Sequence, residues 1–162
     1  MQKEGEFFML DWFFELVSNP FLITSTTAWL VAQVIKVIIN AIINKKLDWE
    51  RLVGDGGMPS GHSATVSSLA MLSGLMCGLN SFEFGISAIL AIIVCHDAMG
   101  VRREAGKHAV ILNEMAKAFE ELANQDLPDV ALKEFVGHTP IQVCAGIIIG
   151  ILSACTMYFF LI

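Results

Sequence analysis

Apolar residues fall in four long runs, covering roughly residues 20–43, 60–79, 82–99 and 139–162. Each is near the ~20 residues that a helix needs to cross a bilayer. The third and fourth runs are the most uniformly apolar, whereas the first two carry polar positions among the apolar ones. Between the third and fourth lies the polar but periodic stretch VRREAGKHAVILNEMAKAFEELANQDLPD. There Val101, Ala105, His108, Leu112, Met115, Phe119 and Leu122 recur at helical spacing. This spacing predicts an amphipathic helix that ends in the turn around Asn124 to Pro128. The opening stretch MQKEGEFFMLDWFFELVSNP is acidic and aromatic and lacks the basic start and cleavage site of a signal peptide. It predicts a short amphipathic segment at the interface, anchored by Trp12 and several phenylalanines. The fold expected is an all-α integral membrane helical bundle of about four spans plus amphipathic helices. It forms a single membrane domain over residues 1–162, with 1–18 interfacial and 100–138 forming an amphipathic helix and loop outside the membrane.

Composition strengthens the membrane reading. The chain is 55% hydrophobic and 16% charged, where a soluble domain carries about 25% charged residues. Its net charge of -6 and the lack of a basic stripe argue against nucleic acid as a partner. Cys77, Cys95, Cys144 and Cys155 lie singly in apolar stretches, with no C-x-x-C pair or Cys/His cluster. They read as small packing residues, so neither a metal, a cofactor nor a disulfide framework is expected. Lys45, Lys46 and Arg51 follow the first run, and Arg102, Arg103, Lys107, Lys117 and Lys133 lie between the third and fourth. The connection at Asn80 and Ser81 has no basic residue, so the basic side is expected to be cytoplasmic and both termini to face outward. GLMCG (74–78) and GIIIG (146–150) match the small-xxx-small pattern of close helix contact.

Polar residues inside apolar runs are costly and therefore informative. Trp29, Gln33, Lys36, Asn40 and Asn44 form one polar stripe on the first helix. Lys36 lies about two turns, roughly 10 Å, from the basic end, and the stripe predicts that it faces inward. The stretch GGMPSGHSA (56–64) opens the second run. Pro59 suits a helix start and Ser60 can cap it, which leaves His62 without a structural reason. Asp97 ends the third run, Arg102 and Arg103 follow it, and His138 precedes the fourth. The connectivity thus delivers His62, Asp97, Arg102, Arg103 and His138 to one membrane face. A helix start with Ser60, Gly61 and nearby cations suits a phosphate. Two histidines beside it point to phosphoryl transfer, one as nucleophile and one as acid.

Three stretches carry a more specific resemblance. GGMPSGHSATVSSLA, DAMGVRREAGKHAVILN and GHTPIQVCAG resemble the divergent branch of the type 2 phosphatidic acid phosphatase superfamily. That superfamily also includes bacterial acid phosphatases and vanadium haloperoxidases. The resemblance runs from about Gln33 to Gly150. It implies that Pro59, Ser60, Gly61 and His62 supply phosphate-binding groups and the general acid, and that His138 forms a phosphohistidine. Where the superfamily has an arginine six residues before the nucleophile and an aspartate four after it, this chain has Leu132 and Gln142. The superfamily's lysine followed seven residues later by Arg-Pro has no counterpart either. Lys36, Arg102, Arg103 and Lys107 stand as alternative cations, and Asp97 as the carboxylate that would orient His138.

The activity expected is metal-independent hydrolysis of a phosphomonoester or diphosphate on a membrane lipid, at the cytoplasmic face of the cell membrane. The alternative is a non-catalytic protein that binds or moves phosphorylated lipids. The superfamily core has more helices than this chain supplies, which leaves room for a homodimer.

Overall fold

The computed structural model describes residues 11–45, 57–123, 132–133 and 136–160. Every regular element among them is helical. A helical stretch over residues 11–17 precedes α1, Pro20–Asn44. Then come α2, Gly61–Cys77, α3, Phe82–Met99, α4, Val101–Ala123, and α5, Pro140–Phe160. The starts follow from local chemistry. Asn19 accepts hydrogen bonds from the N–H groups of Phe21 and Leu22 through Oδ1 at 2.9 and 3.3 Å, and Pro20 begins α1. Ser60 and Ser81 cap α2 and α3 in the same way. The expected turn at Asn124–Pro128 and the first ten residues of the interfacial segment lie outside the described residues.

Three of the four expected spans are long and apolar enough to cross a membrane. They are α1, the helical stretch that begins with α3, and α5. The run at 60–79 forms a helix of 17 residues, about 25 Å long at 1.5 Å per residue, at the short end of the lengths that span a bilayer. It packs against α1, α3 and α5 and forms the middle of the bundle. Its serines explain both its low apolarity and its place, because Ser63, Ser67, Ser68 and Ser73 are all buried.

The bundle has small residues inside and large ones outside. Ala28 and Ala32 of α1 meet Ala64 of α2, while Ile38, Ile42, Ile89, Ile92 and Ile148 are exposed to the surroundings. Membrane helices associate this way, since lipid offers no hydrophobic drive and close backbone contact provides the attraction instead. Two of the buried hydroxyls are satisfied within their own helices: Thr24 Oγ1 donates to the Pro20 carbonyl at 2.6 Å and Ser68 Oγ to that of Thr65 at 2.8 Å. GIIIG behaves as its spacing predicts. A Cβ on Gly146 would run into the Ser60 carbonyl, and one on Gly150 into that of Ala64, so α5 lies directly on the α2 backbone. GLMCG does not form such a seam. Gly78 terminates α2 with φ 90°, and a Cβ on Gly74 would meet Leu79 and Phe84 side chains just beyond the turn.

Helix α4 follows α3 after Gly100, whose N–H donates to the His96 carbonyl at 2.8 Å. Gly106 and Ala109 form its buried side. The apolar stripe read from the sequence faces away from the bundle, with Val101, Leu112, Met115, Phe119 and Leu122 all exposed. The four cysteines are free thiols.

Candidate functional site

The chemistry-bearing residues gather at one end of the bundle, around His138. This histidine lies just before α5 and is only 3% exposed. Two contacts fix its backbone. Its N–H donates to the Ala98 carbonyl near the end of α3 at 2.9 Å. Gly137 beside it, at φ +85°, passes so close to α4 that a Cβ there would strike the backbone of Arg102 and Arg103. A positive φ and the lack of a side chain are both needed at that crossing.

The imidazole is held from the opposite side by the first turn of α5. Gln142 Oε1 accepts the Thr139 N–H at 3.0 Å and lies 3.3 Å from His138 Nδ1. The Gln142 carbonyl in turn accepts the Ser60 N–H at 3.0 Å. One residue therefore links His138, the α5 start and the α2 start. Burial pushes the His138 imidazole below its ordinary pKa, and the charges of Lys36 and His62 act in the same direction. Hydrogen bonds to Gln142 and the Gly57 backbone oppose the shift without reversing it. The resting ring is thus neutral near pH 7, the form that can act as a nucleophile or base.

Two cavities flank His138. One, of about 270 Å³, is bordered by Gly57, Arg103, Lys107, Thr139 and Gln142. The other, of about 210 Å³, is bordered by His62, Asp97 and Arg102 together with Ile93 and Val94. Both share His138 and Gly137. The first cavity is cationic, although Lys107 also bonds Glu104 at 2.6 Å on the exposed side of α4. The second joins polar groups to Ile93, which lies on the exposed apolar side of α3.

Among the residues singled out from the sequence, His62, Asp97, Arg102, Arg103, Lys107 and His138 all border these cavities. Lys36 faces inward at 4% exposure, as the stripe predicts, with its stem against Gly57. Trp29 and Gln33 of the same stripe lie against Gly61. Asp97 bonds Arg102 Nε at 2.7 Å, and both side chains are substantially exposed. The group in contact with the His138 ring nitrogen is Gln142 rather than Asp97. Ser60 is fully buried; its hydroxyl caps the Ser63 N–H at 3.3 Å and accepts from Ser63 Oγ at 2.9 Å. Leu132 has both its N–H and carbonyl bonded to the Asn113 side chain, each at 3.0 Å. That position is clasped to α4, the helix that supplies Arg103 and Lys107.

Sequence reasoning gave no role to Gly137, read Gly57 only as part of a tight turn, and read Gln142 only as the uncharged residue at the superfamily's aspartate position. Gln142 carried a further readable signal. Thr139-Pro140-Ile141-Gln142 has the T-x-x-Q form of a capping box, with proline at the first helical position.

A family model described as the divergent PAP2 family matches residues 17–153. An uncharacterized membrane protein of Bacillus subtilis (strain 168), YuiD, is 43% identical over 157 residues, covering 91% of this chain and 99% of that protein. No solved structure matches the chain. The family match encloses every residue of the cluster from Lys36 to Gln142, and the similarity to YuiD runs through nearly the whole of both proteins. The chain is a membrane protein of the divergent PAP2 family.

Proposed function

We propose that the protein hydrolyses a phosphomonoester or diphosphate on a membrane lipid through a phosphohistidine at His138, without a metal ion. The observation that carries this reading is a buried histidine set between a cationic cavity and one that holds a second histidine. Phosphate oxygens would sit against Arg103 and Lys107, with Lys36 adding positive potential from beneath Gly57. His138 would attack phosphorus, forming an N–P bond as the P–O bond to the leaving group breaks. His62 would give its proton to the departing oxygen and then take one from the water that hydrolyses the N–P bond. Ser60 and Gly61 would act by building the helix start that carries His62. The Asp97–Arg102 pair would border the leaving-group side, and Ile93 and Val94 would receive the lipid chain. The basic loops favour the cytoplasmic face for this chemistry.

One observation favours a second reading, in which the cradle binds or moves phosphorylated lipids without turnover. The usual arginine and aspartate positions hold Leu132 and Gln142, and neither carries charge. Purified protein given a panel of lipid phosphates and diphosphates separates the two. Phosphate release that persists in chelator and disappears in His138→Ala supports hydrolysis. Binding with no release by wild type supports the alternative.

A further inference from the structure

We propose that Gln142, through the capping box of α5, sets the tautomer of His138 with the proton on Nδ1 and the lone pair on Nε2. Gln142 is then a positioning residue for the histidine assigned above, and its role in catalysis rests on that reading.

The amide orientation follows from its neighbour. A backbone N–H can only donate, so the oxygen of the Gln142 side chain, not its NH2, must face the Thr139 N–H at 3.0 Å. The reciprocal half of the box is longer, with the Gln142 N–H 3.5 Å from Thr139 Oγ1. The same Oε1 lies 3.3 Å from His138 Nδ1. An acceptor facing a lone pair would be repulsive, whereas a carbonyl oxygen with two lone pairs can take both protons. Nδ1 is therefore the protonated nitrogen, and Nε2 is left to react.

The surrounding groups do not displace this assignment. Lys36 from α1 and His62 from α2 act on the ring as positive charges. Arg103 and Lys107 of α4 offer donors across the larger cavity. Asp97, across the smaller one, has a carboxylate oxygen bonded to Arg102 at 2.7 Å. The Gly57 backbone also acts on the ring as a hydrogen-bond acceptor, while the contact to Nδ1 is the one from Gln142 Oε1 at 3.3 Å. The Gln142 backbone is anchored through its carbonyl, which accepts the Ser60 N–H, and its side-chain oxygen is held by the Thr139 N–H. The device orients the ring without adding a negative charge beside it, so it selects the reactive nitrogen while leaving the imidazole easy to deprotonate.

The test uses full-length protein with 15N-labelled histidine in detergent micelles, read by long-range 1H–15N correlation. His138 is assigned as the signal lost in His138→Asn. The expected wild-type pattern is Nδ1–H with an unprotonated Nε2. Gln142→Leu should lose that preference. Gln142→Glu, which can still close the capping box, should keep the tautomer and raise the His138 pKa by about 1–3 pH units through the new carboxylate. If Gln142→Leu does not fold, the wild-type spectrum and Gln142→Glu decide. An Nε2–H tautomer in wild type, an unchanged tautomer in folded Gln142→Leu, or an unmoved pKa in Gln142→Glu overturns the proposal. Because the spectrum needs no turnover, a protein that releases no phosphate would defeat the hydrolase reading and leave this result standing.

Discussion

Replacing Gly137 by alanine tests how tightly the His138 loop is registered on α4. The new Cβ would strike the Arg103 backbone N and lie 2.6 Å from its Cα, where ordinary contact begins at 3.4 Å, so the loop must retreat by at least about 0.8 Å. Two costs accompany that movement. Alanine at φ +85° is disfavoured by about 1–2 kcal/mol, and overpacking against backbone adds about 1–3 kcal/mol. The loop can relieve both by lifting from α4, which breaks the bond from the His138 N–H to the Ala98 carbonyl. The helices do not depend on that bond, so the fold should persist. A reacting group displaced by nearly 1 Å is expected to lose on the order of 10²-fold in rate. The assay is kcat/KM for phosphate release, with far-UV circular dichroism as the check on folding. Wild-type kcat/KM in Gly137→Ala would refute the claim that this crossing positions the nucleophile.

Four further outcomes follow. Because the His138 pKa is lowered and the neutral form is the nucleophile, the acid limb of kcat/KM should lie below the ~6.5 of a free histidine, and Lys36→Met should move it upward. The same shift makes stability greatest above about pH 6.5 and lowers it as pH falls from there through the folded-state value, since the unfolded chain protonates first; thermal melts across that window check the sign. Gly146→Ala should destabilise the bundle by about 1–3 kcal/mol through the Ser60 carbonyl, whereas Gly85→Ala, in a helix with open space around it, should be neutral or stabilising by up to ~1 kcal/mol. In a cysteine-free background, Glu120→Cys should be shielded from impermeant thiol reagents in intact cells and Ser81→Cys labelled; the reverse pattern would invert the orientation.

The helices were legible because each begins with a local signal and follows an apolar run, as at Asn19-Pro20 and Ser60-Gly61. Lys36 was legible for a related reason, since a polar stripe on an apolar helix has to face inward. The second run forms the helix its apolar count predicts, although that count hides its serines. Those serines are tolerated only because α1, α3 and α5 enclose them. At the site, chain connectivity was enough to bring His62, Asp97, Arg102 and Arg103 to the end of the bundle where His138 sits. Which neighbour touches the imidazole depends on side-chain direction in the first turn of α5, and spacing alone cannot express that. The T-x-x-Q pattern held the missing information as a helix cap, and the structure shows that the cap's oxygen also reaches His138. Gly137 was not legible at all, because its need for a positive φ arises from a helix more than thirty residues away.

The central claim is that His138 takes the phosphoryl group covalently. Rapid mixing of purified protein with a radiolabelled lipid phosphate, quenched in alkali to preserve a phosphoramidate, should trap label on the protein within one turnover. Peptide mapping should place that label on His138, acid should release it, and His138→Ala should carry none. Steady phosphate release with no trapped label, or label on another residue that survives in His138→Ala, would contradict the mechanism.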